Sequence, residues 1–156
     1  MESCGLLLIT QLNKAITIKM TTAGYSETPL LKKLGIKPGM KLLLLNEPGN
    51  YFALLQTDIT NQLAGSNVTP DFIHLFAVDC KAFENGMKKV LLHSKKNTAV
   101  IAWVSWYKKT AGIATNLNEN IIRDFALQNN LVDIKVCAVS ELWSGLKLVV
   151  PVAKRK

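Results

Sequence analysis

The chain has 156 residues, 49% of them hydrophobic and 19% charged, which fits one folded domain with a sizeable core and excludes a disordered chain. Its formal net charge of +8 is carried almost wholly by lysine, since Arg123 and Arg155 are its two arginines. Because base-specific contacts mostly use the planar fork of arginine, this balance argues against nucleic-acid binding.

The first residues carry weak structural signals. Residues 1–19 are predicted to be an N-terminal extension that packs poorly, with Met20 as the natural start. The alternative is a short edge strand at 15–19, "AITIK", which alternates in polarity. Residues 20–153 are predicted to form a single α/β domain, followed by a basic tail at 154–156.

Clear signals begin at Thr28. "TPLLKKLG" has a threonine N-cap, a proline at the first helical position and Gly35 at its end, which predicts a short helix. "KLLLLN", at 41–46, is a continuous apolar run typical of a strand buried on both faces. A second helix is predicted from Pro48 to about Gln56.

Two further strands are predicted to alternate with helices. They are "DFIHLFAV" at 71–78 and "TAVIAWVS" at 98–105. Asp79 is predicted to cap the helix between them, and Asn97 to end it in a left-handed conformation. Asn118 is predicted to cap the next helix.

The chain closes with apolar segments at 131–139 and 145–152, which are five residues apart and predict a β-hairpin. The preceding alternation of strands and helices predicts a parallel sheet with right-handed crossovers. The predicted fold is therefore α/β: a three-layer, Rossmann-like domain whose mostly parallel sheet of about five strands ends in an antiparallel hairpin. In such sheets, ligands bind outside the carboxyl ends of the strands.

The three cysteines, Cys4, Cys80 and Cys137, form an odd set without the close spacing of zinc ligands. They are predicted to be free thiols in a reducing compartment, and no metal site is expected. The apolar run at 6–9 is too short for a signal peptide or a membrane span, and no apolar run elsewhere approaches the length that a membrane helix needs. The expected location is cytoplasmic, without a membrane partner.

Three separated motifs resemble a known family. "TAGYSETPLLKKLGIKPGMKLLLLNEP", "WVSWYKKTAGIATNL" and "LVDIKVCAVSELWSGLKLVV" are similar to a small bacterial family of unknown function, over residues 20–152. The resemblance implies a reduced, methyltransferase-like Rossmann domain. The chain departs from the family at Tyr107, where members carry Pro, and at Asn130, where they carry Gly. Asparagine tolerates the left-handed backbone that a glycine there implies.

A nucleotide or adenosyl cofactor needs a glycine-rich turn after the first strand and an acidic residue about 20 residues further on. "NEPGNYF" supplies only Gly49, and Asp58 follows Asn46 by only 12 residues. No standard cofactor is therefore expected, and a binding or accessory role is favoured over an enzyme. The alternative is an unorthodox or degenerate S-adenosylmethionine-dependent methyltransferase relative. A groove left open by this turn would favour the alternative, and one filled by Pro48 and Tyr51 would oppose it.

The strongest candidate site follows the third strand. Trp106, Lys108 and Lys109 are expected just beyond its carboxyl end, where the loop "KKTAGIATN" leads to a helix N-terminus. Lysine side chains and free backbone N–H groups at such a place suit a small anionic ligand. A solvated loop with the tryptophan covering the sheet end is the structural alternative. If the last strand inserts between the third and fourth, Trp143 is expected on the same rim.

Further ligand-binding candidates follow other strand ends. They are Asn46 and Glu47 after the first strand and Asp79 after the second. Glu47 and Asp79 could face one crevice as an acid/base pair, although turn and cap roles explain both. His74, inside a buried strand, is interpreted as a core histidine with a hydrogen-bonded ring, and His93 is expected to be solvated. No catalytic residue is assigned. A homo-oligomer through an exposed edge strand is compatible with the sequence.

Overall fold

The computed structural model describes residues 28–155, which form a five-stranded sheet in the order β1-β2-β3-β5-β4. Its strands are β1 (Leu42–Leu45), β2 (Phe72–Phe76), β3 (Ile101–Tyr107), β4 (Val132–Ala138) and β5 (Trp143–Val149). The first three strands are parallel, whereas β5 runs antiparallel to both β3 and β4. The predicted α/β, Rossmann-like class with a closing hairpin is confirmed, and the last strand does insert between the third and fourth.

The described helices are α1 (Leu30–Leu34), α2 (Tyr51–Leu55), α3 (Cys80–Lys96) and α4 (Glu119–Gln128). The two longer ones begin at the predicted caps. Asp79 accepts a hydrogen bond from the Ala82 N–H at 2.8 Å, and Asn118 accepts one from the Ile121 N–H at 3.0 Å. Each cap satisfies an amide that has no partner within its own helix.

Asn97 ends α3 differently from the prediction. Its backbone is extended, with φ at −135°, so the predicted left-handed conformation is wrong. The side chain instead donates to the Pro70 carbonyl at 3.2 Å and accepts from the Ala99 N–H at 3.0 Å. These two bonds hold the chain extended as it enters β3.

The helices cover the sheet on both faces, which makes three layers. One face packs against α3 and α4, and the other packs against α1 and α2, each with its own cluster of buried side chains. The helix α3 approaches β2 so closely that a methyl group at Gly86 would overlap the buried Leu75 side chain. Glycine is required there by space rather than by backbone angle.

The connection from β1 to β2 sets the place where strand order reverses. After α2 the chain passes through a 3-10 turn at Thr60–Gln62 and pairs at Leu63, parallel to Leu42, on the outer side of β1. It therefore moves outward from β1 before returning to β2, whereas later crossovers move the other way. Right-handed crossovers in opposite directions put their helices on opposite faces, as α2 and α3 are. The switch point of the sheet thus lies between β1 and β2.

The outer strand β4 carries two features that oppose pairing with another strand. Its register shifts between Asp133 and Lys135, and Lys135 is exposed at the edge. A bulge and an edge lysine both discourage strand addition, so they work against a homo-oligomer formed through β4.

Some predictions lie outside the described residues: the extension at 1–19, its edge-strand alternative, the start at Met20 and Lys156 of the basic tail. Within residues 28–155, no helix is long and apolar enough to cross a membrane. In the same range, no group of three or more His, Cys, Asp or Glu side chains is arranged to hold a metal ion.

Candidate functional site

The carboxyl end of β3 opens into a cavity of about 870 Å³, called here the β3–α4 cavity. Its walls are the end of β3, the loop at 108–118, the first turn of α4 and Ser144 at the start of β5. Lys108 and Lys109, two of the candidate ligand-binding residues, both line it. Lys108 is half-buried and Lys109 is exposed.

The floor of the cavity is apolar. Trp106 and Leu117 line it and are only 7% and 2% exposed. Trp106 does not lie beyond β3, as expected, but is its penultimate residue, because β3 stays paired with β5 as far as Tyr107. Its indole therefore belongs to the packed core and presents only a small part of its surface to the cavity.

The loop that walls the cavity is tied to the start of α3. The Thr115 hydroxyl donates to the Val78 carbonyl at 2.7 Å. Asn116 accepts from the Cys80 N–H at 2.8 Å through its side chain and from the Cys80 thiol at 3.3 Å through its carbonyl. With three bonds to one neighbouring turn, the wall is held in place before any ligand arrives.

The cavity has a positive electrostatic balance. The one acidic side chain along its described walls is Glu119, whose carboxylate is bound by Arg123, and Arg123 also donates to Asp133 at 3.0 Å. Because Glu119 is already paired, the ammonium groups of Lys108 and Lys109 dominate. The first turn of α4 adds backbone N–H groups without intrahelical partners, and the helix dipole favours negative charge there.

Trp143 shares the sheet edge with Trp106 but lies on the opposite face. In the β3–β5 register Trp106 pairs with Ser144, and Trp143 pairs with Tyr107. Its ring stacks on Tyr107, with centroids 4.3 Å apart, and meets Phe76 edge-on at 5.0 Å. Trp143 does not line the β3–α4 cavity, so the predicted rim of two indoles is not formed.

Sequence reasoning missed the contribution of Ser144 to the cavity. The signal for it was the insertion of the last strand beside the third, which brings the start of β5 to the end of β3.

The remaining predicted candidates also lie outside the cavity walls. Asn46, with φ at 58°, and Glu47 form an exposed turn after β1, and Asp79 is the cap of α3. Tyr51, which follows this turn, is 1% exposed and its side chain is packed in the core rather than open to a ligand. Pro48, within the turn, is half-buried.

Tyr51 belongs to a buried chain of polar groups. Its hydroxyl lies 2.9 Å from Nδ1 of His74, and Nε2 of His74 lies 2.8 Å from the Ser105 hydroxyl. His74 is fully buried and stacked on Phe76, and burial lowers its pKa to about 3, so the ring is neutral. The pKa of Tyr51 is raised above its usual value by burial and by the Glu47 carboxylate. These contacts agree with the interpretation of a core histidine with a hydrogen-bonded ring.

His93 differs from the expectation of a solvated side chain. It is half-buried on α3, and its Nδ1 atom is buried without a hydrogen-bond partner among the described residues. Its pKa is lowered by burial, then by Lys96 and Lys89.

No family model and no curated protein matches the sequence, so the resemblance to the bacterial family stays a prediction. Among solved structures, the chain is similar to a protein in the NADB-Rossmann superfamily from Streptococcus agalactiae. The identity is 10% and the TM-score 0.46, over 80% of this chain and 69% of that one.

Proposed function

We propose that this domain binds a small anionic ligand in the β3–α4 cavity and has a binding or accessory role rather than an enzymatic one. The observation that carries the proposal is the convergence of Lys108, Lys109 and the α4 N-terminus on one preformed cavity. Phosphate and carboxylate oxygens accept hydrogen bonds from ammonium groups and from unpaired backbone N–H groups. The apolar floor leaves room for a carbon skeleton beside the anionic group.

The location of the cavity supports this proposal. It lies at the carboxyl edge of the sheet, where open α/β sheets bind their ligands, although beside β3 rather than at the switch point between β1 and β2. The free thiols of Cys80 and Cys137 are compatible with a reducing bacterial cytoplasm, which we propose as the location.

Replacing Lys108 with alanine is expected to weaken binding of a simple anion roughly tenfold, about 1.4 kcal/mol, because a charged donor is lost from a partly desolvated site. Titration calorimetry and thermal shift with inorganic phosphate and with a dicarboxylate measure the effect.

Two matched controls separate the cavity from bulk charge and from packing. Lys88→Ala removes an exposed lysine from α3, and Trp143→Phe alters the opposite face of the sheet. Both should bind the anion as the unmodified chain does. An equal loss in Lys108→Ala and Lys88→Ala would contradict the cavity as the binding site.

The alternative is a degenerate methyltransferase relative, and the strand order favours it. An antiparallel strand inserted before the last parallel one, together with a switch point between β1 and β2, supports the resemblance to a reduced methyltransferase-like domain. The residues at the switch point do not match the usual cofactor-binding pattern of a glycine-rich turn and an acidic residue for the ribose. The turn after β1 supplies a single glycine, Gly49, and the residues after the Leu63 bridge, Ala64 and Gly65, carry no carboxylate for a ribose.

A thermal-shift comparison distinguishes the two functions. If the domain is a simple anion binder, phosphate raises the melting temperature, while S-adenosylmethionine and S-adenosylhomocysteine do not. Stabilisation by the adenosyl compounds that Lys108→Ala leaves intact would favour the methyltransferase relative instead.

A further inference from the structure

A second basic feature lies on the face of the sheet that carries α1, away from the β3–α4 cavity. Four lysines meet there: Lys135 on β4, Lys147 on β5, and Lys33 and Lys37 in and after α1. Lys135 and Lys147 are directly opposite each other in the β4–β5 register. The Lys135 ammonium donates to the Lys33 carbonyl at 3.2 Å, and Lys37 acts electrostatically on Lys147. These four residues are called here the lysine face.

The lysine face has no acidic counterpart among residues 28–155. The ion pairs in that range are those of Arg123, with Glu119 and Asp133, and none includes a lysine of this group. Like charges directly opposite each other on neighbouring strands oppose sheet formation. The pKa of Lys147 is lowered by partial burial and then by Lys135 and Lys37, which is the direction that repulsion gives. The cluster therefore costs stability in the free protein.

Only part of this arrangement has a structural explanation. The Lys135 ammonium satisfies a carbonyl near the C-terminus of α1, where a cation is favourable. Nothing similar accounts for Lys147, whose ammonium makes no hydrogen bond or ion pair within the described part of the chain. An apolar side chain would suit its half-buried position on the sheet better.

The spacing of the cluster indicates the kind of ligand. Cross-strand neighbours have Cβ atoms about 5 Å apart, so the Lys135 and Lys147 ammonium groups can reach one compact anion, with Lys33 and Lys37 nearby on α1 and after it. Phosphate groups joined by bridging oxygens concentrate charge in such a space, whereas the phosphates of a nucleic acid are spread out by the sugars between them. Lysine serves as a point charge for phosphate, without the fork that arginine uses to read planar groups. We infer that the lysine face binds a compact polyphosphate anion.

Tripolyphosphate is the probe, titrated into the full chain at low ionic strength. The double variant Lys135→Gln/Lys147→Gln should bind it about tenfold more weakly or worse, since two of four ammonium groups are lost. The matched control, Lys88→Gln/Lys89→Gln, removes the same charge from exposed positions on α3, across the sheet. It should retain the affinity of the unmodified chain within about twofold.

Stability provides an independent readout. Because the cross-strand repulsion is removed, the Lys135→Gln/Lys147→Gln variant should unfold at a higher denaturant concentration, so its loss of binding is not a loss of folding. Four outcomes would overturn the inference: no binding of tripolyphosphate; equal weakening by the α3 control; tighter binding of an oligonucleotide with the same number of phosphates; or loss of tripolyphosphate binding in Lys108→Ala. The last result would assign the anion to the β3–α4 cavity.

Discussion

Replacing Trp103 with alanine is expected to lower the free energy of unfolding by about 3–5 kcal/mol, the cost of emptying a fully buried tryptophan site. Trp103 is 0% exposed, at the centre of β3 on the face that carries α1. The site is closely packed, because a Cβ atom at Gly145 would lie 3.1 Å from the indole ring. The surrounding sheet has little freedom to collapse into the cavity, which puts the cost toward the upper end of the range.

The indole also fastens α1 to the sheet. Its N–H donates to the Leu34 carbonyl at 2.9 Å, at the end of a helix of only five residues. The alanine variant leaves that carbonyl without its partner, at a further cost of about 1–3 kcal/mol if the group stays buried. Trp103→Phe is the matched variant, since it also lacks the N–H donor but keeps a six-membered aromatic ring in the site.

Because both variants lack the donor, the difference between them in denaturant unfolding measures the packing contribution of the aromatic ring. The phenylalanine variant should lose markedly less stability than the alanine variant. A loss below about 1 kcal/mol for Trp103→Ala would contradict close packing of α1 on β3.

The elements of the fold could be predicted because each depends on local chemistry. Asp79 and Asn118 start α3 and α4 where their side chains can accept a backbone hydrogen bond. Asn130 adopts φ of 62°, the left-handed conformation implied by the glycine of the similar family. Such signals need only a few neighbouring residues, so the sequence contains them in full.

The geometry of the candidate site could be predicted only in part, because it depends on strand register. Side chains alternate between the two faces of a strand, so pairing Trp143 with Tyr107 rather than Trp106 puts the two tryptophans on opposite faces. Lys135 lies opposite Lys147 because of a register shift in β4, and no turn residue in the sequence indicates that shift. These facts belong to the assembled sheet and have no local signature.

The buried polar chain was predictable only at its centre. A histidine inside an apolar run is expected to have hydrogen-bond partners, as His74 has. Its partners Tyr51 and Ser105 come from 23 and 31 residues away in the chain, so they could not be identified before the fold was known.

The stability of the domain is expected to fall as the pH drops below about 6.5, because of His74. Burial lowers the pKa of this ring to about 3, from an unfolded value of about 6.5. Between those values the His74 ring binds a proton in the unfolded chain but not in the native protein. The unfolded state is therefore stabilised relative to the native state as the pH falls. The full contribution of His74 is present above pH 6.5, and lowering the pH to 5 should remove roughly 2 kcal/mol.

Two variants and the unmodified chain isolate this effect when denaturant midpoints are compared between pH 8 and pH 5 at constant ionic strength. Above pH 5 most carboxylates stay charged, so the histidines dominate the slope. His74→Gln, which keeps polar atoms near Tyr51 and Ser105, should be less stable at pH 8 but much flatter in its pH dependence. His93→Gln is the control for the other histidine, whose pKa is lowered in the same direction, and it should retain most of the slope.

If the buried Tyr51–His74–Ser105 hydrogen bonds cause the pH dependence of stability, the NMR titration of the His74 ring must be consistent with it. The His74 ring protons should show no titration shift by NMR between pH 8 and pH 5 in the native protein, because the proton enters only on unfolding. A native-state titration near pH 6.5 would mean that the ring is accessible and that Tyr51 and Ser105 do not enclose it. An unchanged slope in His74→Gln would assign the acid sensitivity to other groups.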